Sequence, residues 1–117
     1  MLLNILKSKI HRAVVTGSDM NYEGSIAIDK KLIRSANLNN FEKVEIYNIN
    51  NGERFSTYVI PGKTGEISLN GAAARLVQKG DLIIIACYAQ VDEKDVKSFK
   101  PTIVFVDEKN RSSKIIN

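Results

Sequence analysis

The sequence predicts a single small, mainly β domain with a few short helices, closed or nearly closed into a barrel. Three observations predict it. Short alternating or continuous apolar segments recur along the chain, the signature of strands with one or both faces buried. The helical pieces between them span only about two turns each, too little to stand alone. And 117 residues suffice for one core but not for two, which would need roughly 100 residues each. Closure is expected because it removes the exposed strand edges that invite aggregation.

Taken in order, strands are expected over Leu2–Val15, Ser25–Ile28, Val44–Ile49, Phe55–Ile60, Glu66–Leu69, Leu82–Tyr88 and Thr102–Val106. Gly17-Ser18-Asp19 reads as a polar turn. Asp29 is placed to cap a helix over Lys30–Ala36, Gly71–Val77 opens a second, and Asp92 is placed to cap a third over Glu93–Ser98. Asn51-Gly52, between two strand patterns, supplies the positive φ that a tight hairpin turn demands. The last ten or so residues, Glu108–Asn117, are rich in Lys, Arg, Ser and Asn and are expected to be a mobile tail or a subunit contact.

Composition narrows the class. Hydrophobic residues make up 44% and charged residues 26%, which excludes a disordered chain. No apolar run approaches the roughly 18 residues of a membrane span, so a cytoplasmic protein is expected, with no membrane partner. The sole cysteine, Cys87, lies in an apolar run and reads as a small buried residue. A net charge of +4 raises the possibility of a nucleic-acid-binding barrel. Against it, the basic residues are scattered and no aromatic-basic stacking motif appears, so no nucleic acid is expected.

Tyr22-Glu23-Gly24-Ser25 lies where a polar loop becomes a strand. Alone, a Gly-Ser pair is an ordinary turn. It also has a chemistry of its own. A serine hydroxyl can attack the preceding carbonyl, and glycine there removes the Cβ that would crowd the attack. The product is an ester; loss of the serine α-proton expels it by elimination, and hydration of the resulting dehydroalanine releases ammonia. What remains is a pyruvoyl group on a new N-terminus. Such a ketone forms a Schiff base with an amino acid and accepts the electrons released as CO₂ departs.

Four blocks carry a specific resemblance: Lys9-Ile10-His11-Arg12, Tyr22-Glu23-Gly24-Ser25, Asn51-Gly52-Glu53-Arg54-Phe55-Ser56-Thr57-Tyr58 and Asn70-Gly71-Ala72-Ala73-Ala74. In this order and spacing, from about Met1 to about Pro101, the chain resembles the bacterial aspartate 1-decarboxylases. The resemblance implies a double-psi β-barrel and a homotetramer with active sites between subunits. It implies a pro-enzyme that cuts itself into residues 1–24 and 25–117, in some relatives with an accessory maturation protein. The implied reaction converts L-aspartate to β-alanine and CO₂ for pantothenate, and hence coenzyme A. The implied cofactor is the covalent pyruvoyl group derived from Ser25, with no metal. Tyr58 then resembles the proton donor, and Gly24, Ser25 and Thr57 the processing residues. Lys9, Arg54, Thr57, Gly71, Ala72 and Ala73 resemble substrate contacts, with His11 and Asn70 in support.

The residue chemistry is consistent with that assignment and leaves alternatives open. Arg54 can grip one carboxylate with a two-pronged donor while Lys9 offers a point charge to the other, in either order. Taken singly, both are ordinary solvated strand cations. A tyrosine such as Tyr58 is more often a half-buried strand aromatic, yet a phenol still holds a proton to give at neutral pH. Small residues at Gly71-Ala72-Ala73 could simply start a helix, or present free N–H groups to an anion. His11 shares a strand face with Lys9 and alone reads as structural. Strand alternation sets Arg54 and Tyr58 on one face and Thr57 on the other, so a twist, a bulge or a subunit boundary is needed if all three serve one site. A nearer rival keeps the pyruvoyl group but acts on glutamate, one methylene longer, a difference worth only ~1–3 kcal/mol in a pocket.

Overall fold

A computed structural model describes residues 1–117. Nine strands form one mixed sheet: β1 (Leu2–Val14), β2 (Gly17–Asp19), β3 (Ser25–Asp29), β4 (Lys43–Asn48), β5 (Arg54–Gly62), β6 (Ile67–Asn70), β7 (Leu82–Asp92), β8 (Thr102–Val106) and β9 (Ser112–Ile116). Their hydrogen-bonded order is β2-β6-β3-β5-β4-β7-β1-β8-β9. The ladder does not close on itself, but its first member, β2, continues β1 after only Val15 and Thr16. Val15 N–H donates to the Asp81 carbonyl at 2.9 Å and Thr16 N–H to that of Ile67 at 2.8 Å. The wall therefore curls round through the chain itself. This mixed, curled architecture accommodates the double-psi barrel that the resemblance implies.

The core fills the inside of that wall. Ile10, Ile26, Ile28, Val44, Ile46, Val59, Ile67, Leu69, Ile83 and Val104 are all fully buried. Each comes from alternate positions of its strand, so the period-2 pattern read in the sequence is the pattern of the core. Cys87 joins it at 1% exposure. Burial, and then the neighbouring Glu42 carboxylate, push its thiol up to about 11, which makes it a packing residue rather than a nucleophile.

Helices serve as connections. Asp29 caps α1 (Lys30–Ser35) by accepting from Lys31 N–H at 2.7 Å, and its other oxygen accepts from Gly65 N–H. The segments Gly71–Leu76 and Glu93–Ser98 are 3₁₀ rather than α, and Asp92 caps the latter as expected. The β4–β5 hairpin turns on Gly52, whose φ is +78°.

Two segments differ from the sequence reading. Gly17–Asp19, expected as a polar turn, pairs in parallel with β6. The C-terminal segment is not a free tail: Asn110 is 1% exposed and Ser112–Ile116 pairs with β8. Asn110 is anchored because its side-chain amide bonds Val14 N–H, the Val14 carbonyl and the Gly65 carbonyl. All five residues of β9 are exposed at the sheet edge.

Candidate functional site

Ser25 opens β3 and is 1% exposed. In the antiparallel β3–β6 ladder it stands opposite Asn70. Its Oγ donates to the Glu23 carbonyl at 3.0 Å and accepts from Asn70 Nδ2 at 3.0 Å. Asn70 occupies the N-cap position of the 3₁₀ segment but makes no capping bond, because its amide is committed to Ser25. A buried hydroxyl with both partners fixed has one orientation.

The close approach beside it falls on Gly71. With φ at +69°, Gly71 sits so near the preceding loop that a Cβ there would lie 2.6 Å from Gly24 Cα and 2.7 Å from Gly24 N. Gly24 itself is different. It is not in the left-handed region, and a Cβ on it would meet nothing within 4 Å. The steric freedom expected of Gly24 is therefore required of its neighbour across the cleft. Sequence reasoning assigned Gly71 a backbone contact without that clearance, since only the packed structure brings it against residue 24.

Tyr58 lies on the neighbouring strand. β3 and β5 run parallel with Ile26 beside Val59, and Ser25 and Tyr58 are the residues immediately before that first pair. Both alternate away from those two core residues. A cleft of about 380 Å³, lined by Asp19, Tyr22, Ala27, Ser68 and Asn70 among others, reaches the site through Asn70; Ser25 and Tyr58 do not line it. A larger groove of about 690 Å³ lies elsewhere, walled by Lys30, Lys31, Arg34 and Lys63, and holds none of the expected site residues.

Other expected residues make no hydrogen bond or ion pair with Ser25 within one chain. Lys9 lies on β1, four strand positions from β3, beside Ala86 of β7. Arg54 lies at the far end of β5, its guanidinium 4.1 Å over the ring of Tyr47, whose hydroxyl is 3.1 Å from that of Tyr88. Neither Lys9 nor Arg54 enters an ion pair. Ala72 is exposed and Ala73 half-buried after Gly71. Thr57 keeps the face that alternation gives it: the β4–β5 register runs from Lys43–Tyr58 to Tyr47–Arg54 without a shift, so no bulge turns it outward. It pairs with the core residue Val44, on the side of Phe55 and Val59.

His11 packs edge-on against Phe105 at 5.5 Å, with Nδ1 buried and unpartnered. Burial lowers its pKa first, and the charges of Lys9 and Arg12 lower it further, which favours the neutral ring. No group of three His, Cys, Asp or Glu side chains gathers where it could hold a metal ion, and no helix is long and apolar enough to cross a membrane.

The aspartate decarboxylase family model matches residues 1–113. The aspartate 1-decarboxylase of Hydrogenobaculum sp. is 63% identical over 94% of this chain and 88% of its own length. That of Syntrophus aciditrophicus is 62% identical over 92% and 94%, and that of Sulfurihydrogenibium sp. 56% identical over 97% and 87%.

Proposed function

The chain belongs to the aspartate decarboxylase family, and from that premise we propose that it is a carboxy-lyase that cuts itself between Gly24 and Ser25 and acts on L-aspartate through the new N-terminus. The observation that carries the self-cutting step is the Ser25 hydroxyl, buried and fixed between Asn70 Nδ2 and the Glu23 carbonyl, directly after Gly24. Asn70 holds Oγ, and the Glu23 carbonyl receives its hydrogen, so the oxygen is oriented before any bond changes. Attack on the Gly24 carbonyl breaks the 24–25 peptide bond. Gly71, lacking a Cβ, lets the Gly24 backbone seat for that attack. Thr57 is assigned to polarising the Gly24 carbonyl and to contacting substrate.

A residue in this position suits conversion to a pyruvoyl group: it opens a strand, its backbone is held by β6, and its hydroxyl is already held between an amide and a carbonyl. That group, once formed, supplies a ketone that condenses with the substrate amine and takes up the electron pair released with CO₂. The chain's own residues do the rest. Arg54 and Lys9 bind the two carboxylates, and the stack of Arg54 on Tyr47 preorients the guanidinium plane. The Gly71-Ala72-Ala73 backbone contacts substrate, Tyr58 gives the proton that completes β-alanine, and His11 and Asn70 support the region. Pantothenate, and so coenzyme A, is the proposed destination of that product.

Lys9 and Arg54 are left without an ion-pair partner in one chain, which suits a site completed by a second copy, in a homotetramer within the cytoplasm. An accessory maturation protein is proposed as a further partner for processing. Substrate identity is tested by CO₂ release from aspartate and glutamate side by side. Aspartate is expected to be preferred by at least about tenfold in kcat/KM, the lower end of what one methylene discriminates. Faster release from glutamate would overturn the assignment.

A further inference from the structure

We propose that Phe41 is a positioning residue for Tyr58, and that an ion pair between Lys7 and Glu42 is the clamp that holds it in place. The inference rests on Tyr58 as the proton donor. Phe41 lies in the loop between α1 and β4 with φ at +68°. Arg12, Asn37 and Asn110 share that region; asparagine tolerates it, whereas a bulky aromatic is strained there. Nor is the strain offset by burial, since Phe41 is 75% exposed. What the strained backbone does is set the Phe41 ring against that of Tyr58, with centroids 6.2 Å apart and planes inclined by 42°. Strain retained at this exposed side chain, in contact with a candidate catalytic group, is the kind that function selects.

The loop is held from two sides. Phe41 N–H donates to the Val59 carbonyl at 2.7 Å, and Val59 N–H donates to the Glu42 carbonyl at 3.1 Å, so the residue after Tyr58 is gripped through both its backbone groups. Glu42 then anchors the loop to the barrel. Lys7 Nζ of β1 lies 2.8 Å from both carboxylate oxygens, and Oε1 also accepts from Asn39 N–H at 3.0 Å and Asn39 Nδ2 at 3.2 Å. The pair is mostly enclosed, with side chains 15% and 24% exposed. Burial pushes the Glu42 carboxyl up, but the hydrogen bonds from Lys7 and Asn39 outweigh it and hold the group below its ordinary value. The carboxylate form of Glu42, the one that accepts from Lys7, is therefore favoured. With the Phe41 ring as a wall, the Tyr58 ring has fewer orientations, and proton transfer depends on orientation before it depends on acidity.

Phe41→Gly removes the ring and relieves the strain, since glycine adopts this φ freely. In the full-length, self-processed protein it is expected to keep or raise Tm, leave cutting at Gly24–Ser25 unchanged, leave KM for aspartate within about twofold, and lower kcat about tenfold. Phe41→Tyr, which keeps the ring, restores most of the lost kcat. Nuclear magnetic resonance of ring-labelled tyrosine supplies a readout independent of turnover: the Tyr58 signal is expected to shift and its ring to flip faster in Phe41→Gly and in Glu42→Gln. An unchanged Tyr58 signal with unchanged kcat in Phe41→Gly would overturn the proposal, as would a loss of kcat that Phe41→Tyr does not restore. Should Tyr58→Phe itself keep full turnover, the proton-donor role falls, while a changed Tyr58 signal in Phe41→Gly would still establish the positioning contact.

Discussion

Gly71→Ala is expected to leave the chain almost uncut. The added Cβ would stand 2.6 Å from Gly24 Cα and 2.7 Å from Gly24 N, closer than real Cβ atoms come to backbone. Because both partners are main chain, neither can rotate away. The segment 22–24 must move, and it carries the scissile carbonyl. A displacement of an ångström at a reacting centre can cost about 10²-fold in rate, so the appearance of the 25–117 fragment is expected to slow by that order. Holding alanine at φ +69° adds about 1–3 kcal/mol of strain, seen as a lower Tm. Gly24→Ala is the contrast, since its Cβ would meet nothing within 4 Å and the precursor should fold with its loop seated. Cleavage of Gly71→Ala at the unsubstituted rate, followed by mass spectrometry over time, would show that this contact does not seat the loop.

Tyr58→Phe is expected to spare cutting and remove turnover. The substitution keeps the ring, and with it the contact to Phe41, while deleting only the hydroxyl. General acid catalysis by one positioned group contributes roughly 10²–10⁴-fold. A fall in kcat of that size, with KM for aspartate little changed, is expected in the processed protein. Because Tyr58 is only partly buried and its ring is retained, loss of structure is a poor explanation for so selective an effect. Full turnover by Tyr58→Phe would assign the proton to another group.

Much of this was legible in the sequence, for physical reasons that differ by element. Strands β3, β4, β5 and β8 were readable because their alternate residues pack into one core, and the hairpin because Asn51-Gly52 suits only a tight turn. Asp29 and Asp92 announced their helices through capping chemistry that is local by nature. β2 and β9 were not readable. Three polar residues form β2 only because β6 lies alongside, and β9 is held by an edge and by Asn110, whose hydrogen-bond partners Val14 and Gly65 are remote in the chain.

The site divides the same way. Ser25 and Asn70 could be named from their motifs, but not the hydrogen bond between them, which depends on β3–β6 register. Gly71 was visible as a residue, yet its clearance over Gly24 exists only in the folded molecule. Phe41, Glu42 and Lys7 carried no signal at all: an aromatic in a polar loop, and two charges 35 residues apart, look like ordinary surface. Thr57 keeps the core-facing side that its position dictates. With no bulge to turn it, a subunit boundary or sheet twist is left to bring it to the site.

The central claim is that this chain makes its own reactive group by cutting at one bond. Intact mass under denaturing conditions, after prolonged warm incubation of the full chain, tests it most directly. Two species are expected, corresponding to residues 1–24 and 25–117, the larger with its N-terminal serine converted to a pyruvoyl group and blocked to Edman degradation. A single chain at 13.0 kDa, undiminished with time, would contradict it.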